Sequence, residues 1–164
     1  MRIQEAPSEL PALGADDAVR GYVIAGWDSR AHAPGLPRGA LRAARHVAEA
    51  LFSTDDGPPP ADRLRWMEED LGDFFGHVNL RARLLFRACI FACTWVGPAL
   101  LWRLPPLGRL PVEERVEALE RLERTPIGLA VLAAKAILSL VYYEHPDAAA
   151  EIGWDRRCLR DRSR

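Results

Sequence analysis

Residues 140–154, LVYYEHPDAAAEIGW, place two tyrosines, a carboxylate and a histidine in consecutive positions. Such groups could transfer protons or bind a metal ion. Glu144 and His145 are adjacent, however, and neighbouring residues of a helix point about 100° apart, so their side chains do not converge on one atom. His145 also precedes a proline, which is typical of an N-cap before a new helix. We therefore expect this stretch to serve in structure or in partner contact, with the hydroxyls of Tyr142 and Tyr143 reaching water or a partner.

Two other pairs have spacings found in metal sites on helices. His46 and Glu49 are three residues apart, and Asp73 and His77 are four apart. A di-iron bundle needs Glu-x-x-His on two helices together with two further carboxylates, and the sequence contains no Glu-x-x-His. Ordinary pairing on a helix surface therefore explains both pairs. A metal enzyme that uses these four residues is the alternative, and it would show stoichiometric metal by elemental analysis.

The sequence contains none of the common nucleotide-binding or hydrolase motifs. It has no glycine-rich phosphate loop, no Gly-x-Ser-x-Gly and no Cys-x-x-Cys. A flavin or nicotinamide normally requires a βαβ unit with glycines after a strand, and no such unit is predicted. The 22 basic and 23 acidic residues nearly balance, so a general nucleic-acid binder is not expected. We predict no cofactor, metal or catalytic residue in this chain.

The three cysteines do not form a disulfide framework, because their number is odd and their spacing does not repeat. Cys89 and Cys93 lie four residues apart in an apolar run. This spacing predicts one helix face and small core side chains.

Helical periodicity begins at residue 38 and predicts an all-α, compact bundle of about five main helices and a short one. The third and fifth helices are apolar nearly all round, and we expect them at the centre. Pro98 should kink or end the third helix, Pro111 and Pro126 should occupy first helical positions, and Gly153 should follow the last helix. The predicted segments are an extended docking arm (1–37), the helical domain (38–155) and a basic C-terminal tail (156–164).

Aromatic residues outside any recognisable core pattern predict a contact surface. The arm is too apolar for a free tail, and tryptophan and tyrosine are enriched where proteins meet. The predicted partner interface consists of Tyr22, Trp27, Trp95, Trp102, Tyr142, Tyr143, His145 and Trp154.

Two apolar runs approach the length of a membrane span. Residues 84–102 include Arg87 and Pro98, and residues 127–143 include Lys135 and fall short of the ~20 residues that a span requires. Core helices are the favoured interpretation, and a surface for a lipid-like molecule or for a partner is the alternative. The N-terminus has no signal-peptide apolar region and no twin arginine, so we expect a cytoplasmic protein.

The helix-boundary residues also resemble those of a known family. LPVEERVEALERLERTP and YYEHPDAAAEIGWD, with LRAARHVAEALF upstream, are similar to the gluconate 2-dehydrogenase subunit 3 small subunits. They also resemble the N-terminal helical segment of GMC-type long-chain alcohol oxidoreductases. The resemblance covers residues 38–155.

This resemblance implies a non-catalytic accessory subunit of a separate GMC-type flavoprotein. In the fused proteins a glycine-rich flavin motif follows the counterpart of IGWD, whereas here RRCLRDRSR follows. The FAD and the catalytic base would then belong to the partner, which would act on an alcohol, a sugar or a lipid-like substrate. A periplasmic location would follow only if an exported partner carried the chain. A stand-alone helical protein that binds an apolar ligand or a membrane surface is the alternative.

Overall fold

The computed structural model describes residues 35–104 and 106–154, which form an all-α bundle. Most of the predicted docking arm, with Tyr22 and Trp27, and the predicted tail at 156–164 lie outside the described residues. The α-helices are α1 (Arg38–Leu51), α2 (Ala61–His77), α3 (Leu80–Phe91), α4 (Gly97–Ala99), α5 (Val112–Glu123), α6 (Leu129–Tyr142) and α7 (Pro146–Glu151). A π-helical turn at Ala92–Val96 joins α3 to α4, and a 3-10 turn covers Leu107–Arg109.

Capping interactions define several helix ends, and the sequence predicts two of them, at His145 and Gly153. The Asn79 side chain accepts a hydrogen bond from the Ala82 amide at 2.9 Å before α3. His145 caps α7 as predicted, with Nδ1 accepting from the Asp147 amide at 3.3 Å. Gly153 has a φ of 72° after α7, which confirms its predicted role as a helix-terminating residue.

Two predicted helix starts are wrong, because Pro111 is a cap and Pro126 lies in a turn, so neither is a first helical residue. Pro111 is the N-cap of α5 and lies outside the helix. The α6 helix begins at Leu129, three residues after Pro126, because a turn occupies the intervening residues. The Gly128 amide in that turn donates to the Thr125 carbonyl at 2.9 Å.

The centre of the bundle is α1 together with α6, and the prediction that α3 is central is wrong. Helix α1 packs against α2, α3, α5 and α6, whereas α3 packs mainly against α6 and α1. The buried residues of α1 are small, which lets four neighbours approach its backbone closely: Ala44, Val47, Ala48 and Ala50.

Helix α3 is buried on one side only, although its sequence is apolar nearly all round. In α3 the buried side chains include Phe86, Cys89 and Ile90, and Cys93 in the following π-helical turn is buried as predicted. Leu85 and Phe91 are exposed. The reason is geometric, since helices at the edge of a small bundle have neighbours on one side alone.

The continuous helical run that begins with α3 ends at Ala99, one residue after Pro98, as that proline predicts. The π-helical turn and α4 continue the helix to Ala99, and Pro98 lies in α4. No helix in the described parts of the chain combines the length and the apolarity that a bilayer crossing requires.

Candidate interaction surface

The loop after α4, residues 100–104, holds a tryptophan in an unusual backbone conformation. The Arg103 amide donates to the Pro98 carbonyl at 3.1 Å, and the Trp102 amide donates to the Ala99 carbonyl at 3.0 Å. This pair of bonds is the Schellman arrangement, whose left-handed position is usually glycine. Trp102 fills that position with a φ of 57°, which makes it the one non-glycine residue with a positive φ in the described chain.

Trp102 and Leu104 are also the most exposed large apolar residues in the described part of the molecule. Their exposed fractions are 93% and 95%. A left-handed conformation costs a residue with a Cβ about 1–2 kcal/mol, and an aromatic side chain that stays in water gains no burial energy in return. Neither feature stabilises the isolated chain.

Helix α5 contacts this loop both before and after Trp102 in the chain. On one side, Arg121 Nη1 donates to the Leu100 carbonyl at 3.5 Å. On the other, Arg103 Nε lies 3.2 Å from Glu114 Oε2. These are exposed contacts with modest energies. Together they favour the observed position of the loop, which would reduce the conformational entropy lost on binding of a partner at Trp102.

A second apolar surface runs along α6. Leu129, Leu132, Ala136 and Leu140 have spacings of three, four and four, which place them on one side of the helix. All four are exposed, and Leu85 is exposed on the neighbouring α3. We call these five residues the apolar face. Single exposed leucines are ordinary on protein surfaces, but a row of them along one helix is typical of a contact surface.

Trp95 and Trp154, two of the predicted interface residues, are each about half exposed. The Trp95 ring lies 6.4 Å from that of Phe91. Trp154 follows Gly153, and its amide donates to the Ala149 carbonyl at 2.9 Å. The structure leaves both side chains accessible.

Tyr142 does not belong to the contact surface, which corrects the prediction from its position at a helix end. It is 4% exposed, and its ring stacks on Phe52 at 4.1 Å. Its hydroxyl accepts a hydrogen bond from Arg63 Nη1 at 3.0 Å, so it reaches neither water nor a partner. The sequence gives no sign of this contact, because 79 residues separate the two side chains.

Arg63 is a buried arginine whose charged guanidinium has hydrogen-bond partners within the chain. It is 7% exposed and makes two bonds to Glu151, at 2.8 and 2.9 Å, besides the bond to Tyr142. The hydrogen bonds that Arg63 donates to Glu151 raise the pKa of Arg63 above its ordinary value, and the same bonds lower the pKa of the Glu151 carboxyl. This Arg63 cluster, made of Arg63, Tyr142 and Glu151, joins α2, α6 and α7. Its role is structural.

The neighbours Tyr143 and His145 are half-buried and pack within the chain. The Tyr143 ring meets Phe52 edge-on at 6.0 Å, and the His145 ring meets Trp66 edge-on at 5.1 Å. Tyr142 and Tyr143 are 5.3 Å apart, the one ring contact among the predicted interface residues that the structure describes. The predicted residues therefore occupy several places on the bundle instead of forming one cluster.

The predicted metal-spaced pairs also have structural partners. Glu49 Oε2 lies 3.6 Å from His46 Nδ1 but only 2.5 Å from Arg115 Nη1, so the Glu49 carboxylate forms its closer ion pair with Arg115. His77 Nδ1 lies 3.0 Å from the Asp73 backbone carbonyl. Burial and the nearby Arg115 charge lower the pKa of His46. Within residues 35–104 and 106–154, no three histidine, cysteine or carboxylate side chains are grouped to hold a metal ion.

For the segments that carry the apolar face the sequence favoured core helices and gave a contact surface only as the alternative, and it gave no sign of the Trp102 backbone conformation. The spacing of the α6 leucines was readable, but the same spacing fits a buried helix. The left-handed conformation of Trp102 leaves no signal in the sequence, because glycine or asparagine normally marks such a position.

In comparisons with known proteins, no family model, curated protein or solved structure matches this chain.

Proposed function

We propose that this chain is a non-catalytic helical subunit that covers apolar surface on a separate protein. The observation that carries the proposal is Trp102, which is almost fully exposed in a strained conformation that a glycine would adopt without cost. Strain of this kind persists at sites with a use, because nothing in the isolated fold gains from it.

The number of exposed large apolar side chains supports a protein as the partner. The Trp102 loop and the apolar face together offer several large side chains, and tryptophan is among the residues that contribute most to protein–protein binding. Transfer of Trp102 from water into an interface would remove roughly 150–250 Å² from solvent. At ~25 cal/mol per Å² this corresponds to about 4–6 kcal/mol before the costs of association.

The partner that we propose is a GMC-type flavin oxidoreductase acting on an alcohol, a sugar or a lipid-like substrate. The support for this class is the resemblance of residues 38–155 to the accessory subunits of such enzymes. FAD and the catalytic base would lie on the partner. The present chain would stabilise that subunit and shape the entrance for its substrate.

Co-expression with a GMC-type flavoprotein from the same genome tests this function. We expect the flavoprotein to elute together with this chain, and to show higher soluble yield, FAD content and turnover than when expressed alone. The double variant Trp102→Ser/Leu104→Ser should abolish co-elution without unfolding the bundle. Leu80→Ser is the matched control, because Leu80 is an exposed leucine outside both the loop and the apolar face.

Equal yield, FAD content and turnover with and without this chain would refute the oxidoreductase assignment. Co-elution that survives Trp102→Ser/Leu104→Ser would refute the role of the Trp102 loop. Loss of co-elution with Leu80→Ser as well would show that the effect is not specific to that surface.

A further inference from the structure

A groove between α1 and α3 lies apart from the Trp102 loop and the apolar face. Its cavity has a volume of about 420 Å³. Small residues form the α1 wall, which leaves the space open, and large apolar side chains form the α3 wall. The lining includes Gly39, Ala40 and Ala43 from α1, and Leu84, Phe91 and Trp95 from the α3 side. This volume and this lining are typical of sites for apolar small molecules.

Two smaller cavities continue the groove at its ends. A cavity of about 240 Å³ shares Gly39, Ala43 and Thr94 with the central one. At the opposite end, a cavity of about 270 Å³ shares Leu84 and Arg87. The groove therefore extends along α3 for about four turns, or roughly 20 Å. This shape suits an elongated chain.

The charged side chains that line these three cavities are all basic among the described residues, although the whole protein has a net charge of −1. They are Arg42, Arg83, Arg87 and Arg109, and the one further titratable group in the lining is His46.

The cavity of about 240 Å³ is the more available of the two ends for an anion. Arg42 and Arg109 line it, and neither guanidinium makes an ion pair or hydrogen bond to another described residue. At the opposite end Arg83 is already engaged in an interaction. The nearby carboxylate of Glu49 is bound by Arg115, which limits its repulsion of an incoming anion.

We propose that this groove binds a single-chain fatty carboxylate. The hydrocarbon chain lies between the small residues of α1 and the Leu84, Phe91 and Trp95 side chains of the α3 side. The carboxylate lies at Arg42 and Arg109. Charge complementarity favours this ligand over a neutral or cationic amphiphile, because only the carboxylate accepts charge-assisted hydrogen bonds from the two guanidinium groups.

The test uses the purified full chain and measures binding of palmitate, 1-hexadecanol and hexadecylamine by titration calorimetry. We expect one palmitate per chain, bound about tenfold more tightly than 1-hexadecanol, because a hydrogen bond to a charged group contributes on the order of 1.5 kcal/mol. Hexadecylamine should bind more weakly than either, because its charge matches that of the arginines. The assay does not require the flavoprotein, so its outcome is separate from that of the proposed function.

Variants locate the site. Arg42→Ala/Arg109→Ala should weaken palmitate binding at least tenfold and leave 1-hexadecanol binding unchanged. Ala88→Glu, at an exposed position of the groove wall, should abolish palmitate binding. Arg65→Ala is the matched control, since Arg65 is an exposed helical arginine outside the groove. Urea midpoints of all variants within the error of the parent protein exclude unfolding as the cause.

Three results would overturn the proposal. The first is the absence of saturable palmitate binding. The second is a lack of specificity for the carboxylate, seen as equal affinity for palmitate and 1-hexadecanol or as weakening of palmitate binding by Arg65→Ala as large as that by Arg42→Ala/Arg109→Ala. The third is binding to phosphatidylglycerol vesicles without binding of monomeric palmitate, which would identify a membrane surface instead.

Discussion

Replacement of Trp102 by glycine should stabilise the isolated chain. The left-handed conformation costs a residue with a Cβ about 1–2 kcal/mol, and glycine adopts it freely. Glycine also increases the entropy of the unfolded chain, which offsets about 0.4–1 kcal/mol. The side chain is 93% exposed, so its removal forfeits almost no burial. The expected net gain in the free energy of unfolding is about 1 kcal/mol.

The comparison with Trp102→Ala isolates the backbone contribution. Alanine removes the same indole but keeps the Cβ and therefore the strain. Urea unfolding should give a midpoint for Trp102→Gly above those of both the parent and Trp102→Ala, with the slopes unchanged. The two variants should be alike in partner binding, because both lack the ring.

A Trp102→Gly variant that is no more stable than Trp102→Ala would refute this reasoning. It would mean that the φ of 57° carries no cost in solution, and the strain argument for a functional Trp102 would fail with it. If Trp102→Gly is more stable and still binds the partner, the backbone strain at Trp102 is supported but the Trp102 side chain does not belong to the interface.

Three further outcomes follow from other parts of the bundle. Gly128→Ala should destabilise the fold by several kcal/mol, measured by urea unfolding, because the new Cβ would meet the Glu123 carbonyl; Gly39→Ala, with open space around the Cβ, is the control. The free energy of unfolding should fall as the pH drops below about 6.5, because the folded state lowers the pKa of His46 and the unfolded state binds its proton first; His46→Gln should flatten this slope, and an unchanged slope would contradict it. Burial raises the pKa of Cys93 to about 12, so its thiol should react with a thiol reagent only after unfolding, and fast labelling of the native chain would contradict this.

The element order was predictable because it depends on local signals. Asparagine before α3, His145 before a proline, and Gly153 after α7 each act within a few residues of their own position. Such contacts are readable from the sequence because the chain supplies both partners locally. The two displaced helix starts, at Pro111 and Pro126, show the limit of this approach, since proline tolerates the cap, the turn and the first helical position alike.

The arrangement of the helices was not predictable in the same way. Apolar composition suggested that α3 and α6 are both central, yet α1 has the central place with α6. Burial depends on which helices a segment meets, and the small side chains of α1 favour close approach on more sides than large ones do. The exposure of Leu85 and Leu129 follows from that arrangement, which no periodicity within a single helix records.

The Arg63 cluster has a consequence for synthesis on the ribosome. Arg63 lies in the second helix, but its hydrogen-bond partners are 79 and 88 residues further along the chain. A nascent chain that ends before Glu151 would have to keep this guanidinium in water or bury it without its carboxylate, which is strongly unfavourable. We therefore expect α2 to reach its final packing only when α7 has left the exit tunnel, so that folding is completed late.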